Sequence, residues 1–290
     1  MSVRTKDHQA AGMHLRVELE QMVVAEELRL VYEPIVDLGD ERVAGVEALV
    51  RWEHPERGLL RPAAFIAAAE TSGKIEEIGR WVLHEACYAA AQQPSLSMMS
   101  VNVSARQLEG ASIVGDVVAA LRRSGLAAQR LVLELTETAD IQDPLGAIDT
   151  LNRLKEMGVC LALDDFGTGC STLAHLRLFP VDFIKIDLSF VQVISSNRRD
   201  QLLVGAIIDL AHTLGVQTIA EGIERPEQRS MLGRLGCDLG QGYLWPVHST
   251  RLQSDSPQLP LPRVGQQAQR HHDQGPTSPN PTPRHPIFGV

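Results

Sequence analysis

Seven short apolar stretches of this chain are interrupted by side chains that carry oxygen or charge. Glu47 lies within VAGVEALVRW, Asn102 within VNVS, and Glu134 with Glu137 within LELTET. Asp164 and Asp165 follow LAL, Lys185 and Asp187 lie within FIKID, Glu221 follows TIA, and Gln241 lies within GQGY. Carboxylates are poor strand formers and costly to bury unless paired, protonated or bound to a cation. A core salt bridge explains one such residue. Acids on five separate stretches repel one another, and a divalent ion is the usual remedy. Glu47, Asn102, Glu134, Asp164 and Asp165 offer oxygen alone, which suits Mg²⁺, Mn²⁺ or Ca²⁺ and disfavours zinc. At a strand end, Asp164 is placed to bridge two ions and Asp165 to hold one. Two ions about 3.5–4 Å apart form the arrangement used for in-line displacement at phosphorus. Metal-assisted phosphoester hydrolysis is one reading of these residues. A single-metal sugar or enolate enzyme is another, and it needs fewer carboxylates.

The stretches recur with one rhythm, a short β-branched run followed by a longer segment of helical spacing. Strands are expected at Leu30–Ile35, Val43–Leu49, Met98–Val103, Leu131–Leu135, Cys160–Leu163, Phe183–Ile186, Val216–Ala220 and Cys237–Tyr243. Helices are expected at Ile75–Ala91, Ile113–Ser124, Pro144–Met157, Arg199–Leu214 and Pro226–Leu235, with Gly158 and Gly215 as C-terminal caps. Eight strands in about 240 residues is the size of one (β/α)₈ barrel. A doubly wound sheet usually carries a Gly-rich phosphate loop after its first strand, and none is present. The connection from Asp37 to Arg42 is too short for a crossover helix, so the first two strands form a hairpin. The expected fold is a modified (β/α)₈ TIM-type barrel with an antiparallel first strand. In such a barrel the C-terminal strand ends form one rim, where the interrupting polar residues would converge.

The 27 basic and 36 acidic residues give a net charge of −9, which argues against wrapping a nucleic-acid polymer. It leaves room for a small phosphorylated ligand whose charge a metal ion offsets. Hydrophobic residues make up 44%, ordinary for a well-cored globular protein. No run approaches the roughly 18 apolar residues of a membrane span, and the N-terminus lacks a secretory h-region, so a cytoplasmic protein is expected. Cys87, Cys160, Cys170 and Cys237 lie far apart and read as reduced thiols. Residues 1–14 read as a flexible N-terminus and 15–251 as the barrel domain. Residues 252–290, with eight of the 16 prolines, read as a disordered Pro-rich tail in which His271 and His272 are solvated. His84, His175 and His212 read as ordinary core or surface histidines, and Thr136 as structural. Gly167-Thr168-Gly169 lacks the full dinucleotide fingerprint. Asp187 reads either as a rim salt-bridge partner or as a group that orients Lys185.

Glu47-Ala48-Leu49-Val50-Arg51-Trp52 resembles the motif that names the EAL-domain cyclic di-GMP phosphodiesterases. The resemblance continues in the family's order through VNVSARQL (101–108), LELTET (133–138), LALDDFGTGCSTL (161–173), FPVDFIKIDLSFV (179–191), IAEGIE (219–224) and LGCDLGQGYLW (235–245), and covers residues 15–247. It implies hydrolysis of cyclic di-GMP to linear pGpG with Mg²⁺ or Mn²⁺, two ions in all, and a homodimer. By the same resemblance, Glu47, Asn102, Glu134 and Asp164 hold the first ion, and Asp164 with Asp165 the second. Lys185 matches the lysine that positions the attacking water, and Glu221 the glutamate that acts as general base or ligand of metal-bound water. Arg51, Leu49 and Gln241 match substrate-binding positions. Glu137 matches the glutamate that braces the loop after Asp165.

Four departures stand out: Glu33 in place of the usual glutamine, Cys170 in place of tyrosine, Leu188 in place of arginine, and a segment after Gln241 without the usual basic-proline continuation. They sustain a rival reading, a receptor or interaction module that binds the nucleotide without turnover. A barrel hydrolase for another phosphodiester is a third. No sensor domain is visible ahead of the barrel, so the input signal is unread.

Overall fold

The structure, a computed structural model, describes residues 26–110, 112–136, 142–167 and 176–245. The expected N-terminal arm, the Pro-rich tail, Glu137, Cys170 and His175 lie outside them. The strands are β1 Leu28–Asp37, β2 Val43–His54, β3 Gly58–Leu60, β4 Met98–Val103, β5 Leu131–Thr136, β6 Cys160–Phe166, β7 Phe183–Ile186, β8 Gln217–Ala220 and β9 Leu239–Gly240. The helices are α1 Ile66–Ser72, α2 Ile75–Ala91, α3 Ala105–Glu109, α4 Ile113–Ser124, α5 Pro144–Glu156, α6 Leu188–Val193, α7 Arg198–Thr213 and α8 Pro226–Arg234.

Eight strands close into a barrel in the order β1-β2-β4-β5-β6-β7-β8-β9, and β9 returns to β1. Every neighbouring pair from β2 to β9 is parallel. Only β1 runs backwards, antiparallel to both of its neighbours, as its short connection to β2 requires. That turn is held by Asp37, whose Oδ1 accepts from the backbone N–H of Gly39 (2.8 Å) and Asp40 (3.2 Å). β3 is an annex that pairs with the far end of β2, outside the ring. It was not foreseen, and neither were the short helices α1, α3 and α6, whose apolar patterns are too brief to show a period.

The helices cover the barrel through apolar stripes. α2 buries Ile75, Ile78, Val82, Ala86 and Ala90, at helical spacing, against the core over β1, β2, β4 and β5. A second core joins β6, β7 and β8 to α6, α7 and α8. Gly158 and Gly215 follow α5 and α7 with φ of +89° and +75°, the left-handed caps expected of them.

Inside the barrel, a third buried cluster forms an apolar floor from Ile35, Ala44, Met98, Val132, Cys160, Ala162, Phe183, Ile219 and Leu239. Side chains two apart on a strand share a face, so each floor residue sets the character of the layer above it. Two residues beyond Met98, Val132, Ala162, Phe183, Ile219 and Leu239 come Ser100, Glu134, Asp164, Lys185, Glu221 and Gln241. Glu47 follows Gly45, whose missing side chain leaves space that Met98 fills. Because β1 is reversed, its residue in this layer lies two before Ile35 and is Glu33. Each of the eight barrel strands thus contributes one polar side chain to a single layer.

Below the floor, two aspartates clip neighbouring strands together. Asp182 Oδ2 accepts from the Leu161 N–H (2.8 Å) and from Lys155 (2.6 Å). Asp238 Oδ2 accepts from the Thr218 N–H (2.8 Å) and hydroxyl (2.7 Å), and pairs with His212 (2.9 Å). His212 therefore serves the closed end of the barrel.

Candidate active site

Lys185 stands at the centre of the polar layer and is 1% exposed. Its Nζ lies 2.7 Å from Glu134 Oε2, 2.7 Å from Glu221 Oε1, 3.3 Å from Asp164 Oδ1 and 3.4 Å from Glu47 Oε2. Glu47 also accepts from Asn102 Nδ2 (2.6 Å) and Gln241 Nε2 (2.7 Å). Glu134 Oε1 accepts from the Ser100 hydroxyl at 2.5 Å. Seven of the expected residues, Glu47, Asn102, Glu134, Asp164, Lys185, Glu221 and Gln241, thus form one connected network drawn from seven strands or strand ends.

Asp165 joins them through a local break in the strand. In a regular strand adjacent side chains point to opposite faces. Here the β6–β7 register shifts between Leu163 and Phe166, and Asp165 has φ +56°. A left-handed conformation is uncommon outside glycine, and aspartate is among the residues that tolerate it best. One oxygen each from Asp164, Asp165 and Glu221 falls within a mutual 4.8 Å, a grouping able to hold a metal ion.

The electrostatics of the layer point the same way. One ammonium faces Glu47, Glu134, Asp164 and Glu221, with Asp165 beside them, so five carboxyls outnumber one cation by four charges. Burial pushes Glu134 well above the carboxylate range, and repulsion from Glu47 and Asp164 adds to it. Burial together with Asp164 pushes Glu221 up to about 8, against the opposing pull of Lys185. Glu47 ends below the usual range, because Lys185, Gln241 and Asn102 outweigh the effect of its burial. Its four carboxylates likewise overcome burial at Lys185 and hold the ammonium protonated, well above its ordinary value. The layer relieves its excess negative charge with protons, a demand that a divalent cation meets equally well. The donor set is all oxygen, and the buried Oε1 of Gln241 has no hydrogen-bond partner among the described residues. Both features fit a hard cation and its ligands.

Arg51 and Leu49 share the Glu47 face of β2 but stand outside the network. The Arg51 guanidinium donates to the Val50 carbonyl (2.8 Å), and Leu49 lines a cavity. That cavity, of about 630 Å³, runs from Glu47, Asn102 and Asp165 toward Ile66, Ile78 and Val82, and its wall is mainly apolar. Among the described residues Asp187 pairs with neither a basic side chain nor Lys185. Its Oδ1 accepts from the Ser189 N–H (3.0 Å) and hydroxyl (2.5 Å), capping α6. One member of the layer, Ser100, was missed from sequence, and Glu33 was singled out there as a departure from the family pattern. Ser100 lies two before Asn102 on the same strand, and that spacing was the available signal. Glu33 is half-buried opposite Glu47 in the β1–β2 register, and burial followed by Glu47 raises its pKa.

Residues 16–246 match the family model described as EAL domain. The cyclic di-GMP phosphodiesterase NbdA of Pseudomonas aeruginosa is 42% identical over 240 residues, covering 80% of this chain and 30% of that protein. The bifunctional diguanylate cyclase/cyclic di-GMP phosphodiesterase MucR of the same organism is 39% identical over 240 residues, covering 80% and 34%. The chain therefore spans about a third of the length of these relatives. Among solved structures, the PaMucR phosphodiesterase in complex with c-di-GMP superimposes with a TM-score of 0.76 at 38% identity, covering 81% of this chain and 98% of that one. The EAL enzyme Bd1971 with cAMP and cyclic di-GMP bound gives 0.79 at 35%, covering 84% and 68%. No helix among the described residues is long and apolar enough to cross a membrane.

Proposed function

This chain belongs to the EAL-domain family, and from that premise we propose that its barrel hydrolyses cyclic di-GMP to linear pGpG. The observation that carries the reading is the polar layer, in which an all-oxygen donor set surrounds one buried lysine beside a cavity of nucleotide size. Glu47, Asn102, Glu134, Asp164 and Asp165 would hold the metal, which we take to be two ions of Mg²⁺ or Mn²⁺. Bound there, they supply Lewis acidity and water of lowered pKa.

The chain's own groups do the rest. Glu221 accepts a proton as water attacks phosphorus, and the P–O3′ bond breaks to leave a 3′-hydroxyl on one nucleoside and a 5′-phosphate on the other. Lys185 holds Glu221 in place at 2.7 Å and offsets charge building on the phosphoryl oxygens. Arg51, on the same face as Glu47, meets the phosphodiester, and Leu49 contacts the nucleoside from the cavity wall. Gln241 orients Glu47 through its Nε2 and keeps its Oε1 available to the ligand. Glu137 would brace the loop after Asp165. We extend the reading to a cytoplasmic barrel domain of residues 15–251 that pairs as a homodimer, which sedimentation tests.

The deciding experiment incubates purified protein and Mn²⁺ with cyclic di-GMP and separates the products by ion-exchange chromatography. Appearance of pGpG supports the reading. Binding without cleavage supports the receptor reading, for which Glu33, a further carboxyl facing Glu47, is the favouring observation.

A further inference from the structure

Three arginines stand in one row across β1, β2 and the end of β3. Arg29 faces Arg51 in the β1–β2 register. On the other side of β2, Trp52 faces Leu60, the last residue of β3. Arg61 continues from Leu60 with extended backbone angles (φ −85°, ψ 159°), so the next step of that register sets it opposite Arg51. Side chains directly opposite on antiparallel strands share a face. That face of β2 also carries Glu47 and Leu49, so the row stands at the rim above the polar layer. Pro62 and Ala63, which follow Arg61, line the cavity.

Like charges directly opposite one another are destabilising, so a row of guanidiniums calls for anions. Arg29 has one. Its Nη2 lies 2.8 Å from Glu53 Oε2, and its Nη1 donates to the Glu26 carbonyl at 2.6 Å. Arg51 donates to the Val50 carbonyl (2.8 Å) and lies within electrostatic reach of Arg61 beside it and of Glu33 and Glu47 below. Arg61 is exposed and has neither an ion pair nor a side-chain hydrogen bond among the described residues. Its backbone is nevertheless pinned, because its carbonyl accepts from the Ala64 N–H (2.9 Å) and Pro62 opens a short 3₁₀ turn directly after it. Arg61 therefore presents a planar fork of donors beside a second guanidinium, a pairing that suits the oxygens of a phosphate.

Cyclic di-GMP carries two phosphates in one ring. Cleavage at the polar layer engages one of them and brings the other to the rim, beside a layer rich in carboxyls. We propose that Arg61, together with Arg51, clamps this second phosphate, the one that is not cut. The inference rests on the phosphodiesterase reading and adds to it a residue that selects ligands with two phosphates over ligands with one. Because Arg61 is at the surface, the attraction it supplies is screened by salt.

The test compares wild type, Arg61→Ala and Arg61→Lys for KM and kcat of pGpG release with Mn²⁺, at about 50 mM and about 500 mM NaCl. At low salt Arg61→Ala is expected to raise KM about tenfold, the loss of one charge-assisted contact, with kcat moving less than KM. Arg61→Lys keeps the charge without the fork and should fall between the other two. The gap between alanine and wild type should narrow at high salt. The linear dinucleotide GpG, which has a single phosphate, is added as competitor, and its inhibition constant should rise severalfold less than KM in the alanine variant. Equal melting temperatures of the three proteins are the control for folding. A KM for the alanine variant within about twofold of wild type overturns the inference. So does a loss indifferent to salt, or an equal loss for GpG, which would assign Arg61 to the phosphate being cut. Failure of the wild type to release pGpG overturns the parent reading, a result distinct from these.

Discussion

Replacing Lys185 with methionine tests the electrostatic account of the site directly. The substitution keeps an unbranched side chain of similar length and removes the ammonium that pairs with Glu47, Glu134, Asp164 and Glu221. Removing one partner of a buried ion pair costs about 3–5 kcal/mol, because the other partner is left buried and uncompensated. In a domain of this size each kcal/mol moves Tm by about 2–4 °C, so the metal-free variant should melt about 6–20 °C lower. The loss must also depend on pH. Glu221 titrates at about 8 in the metal-free fold, above its unfolded value of 4.5. A raised folded pKa contributes stability that is complete below the unfolded value and is lost as pH rises through the folded one. Without Lys185 the main pull that lowers Glu134 and Glu221 is gone, so both hold protons to higher pH and the penalty for ionising them grows. The deficit should therefore be larger at pH 8 than at pH 5.5, where the orphaned carboxyls keep their protons. Scanning calorimetry of chelator-treated wild type and Lys185→Met at the two pH values measures it. A deficit under about 2 °C, or one equal at both pH values, would refute the view that Lys185 offsets buried charge.

Three further outcomes are expected. The Tm of metal-free wild type should fall between pH 5 and 8, and the rise in Tm on adding Mn²⁺ should grow over the same interval, since the ion displaces protons from Glu134 and Glu221; a Mn²⁺ shift independent of pH contradicts this. Glu47→Ala removes a donor that three side chains orient, and pGpG release should drop about a thousandfold or more, given several kcal/mol from metal-assisted catalysis; retained turnover would sink the metal assignment. Burial pushes the thiols of Cys87 and Cys237 up to about 12 and that of Cys160 up to about 11. In a Cys170→Ser variant at pH 8, a disulfide reagent should label none of them until denaturant is added.

The ring of strands was legible in sequence because parallel barrel strands, buried on both faces, read as nearly continuous apolar runs in which each acid stands out. β4, β7, α2 and α4 have the bounds their patterns predict. The strand expected at Cys237–Tyr243 contracts to Leu239–Gly240, because from Gln241 onward the backbone bonds to Ile223 and the neighbouring turn. That exchange depends on a contact between distant residues, which a local pattern does not contain. The same reason hides the route by which Asp165 enters the site, since a register shift against β7 and a left-handed φ are properties of the pair of strands. Asp187 shows the converse error. Two residues from Lys185 on an alternating strand it belongs beside the cluster, yet β7 ends at Ile186 and Asp187 instead starts a helix, where its carboxylate accepts from the Ser189 N–H.

Glu33 is the case in which topology changes the meaning of a substitution. Read along the chain it is one altered residue of a strand motif, 14 positions before Glu47. The reversed direction of β1 puts it two residues before its floor residue, Ile35, and so at the level of Glu47. The barrel therefore carries a carboxyl on every strand of the layer except those bearing Ser100, Lys185 and Gln241. Each added carboxyl raises the free energy of the metal-free layer and so strengthens its demand for a cation, while weakening its attraction for a phosphodiester until that cation is bound. On the proposed phosphodiesterase reading, an acid at position 33 would favour binding of metal ahead of nucleotide.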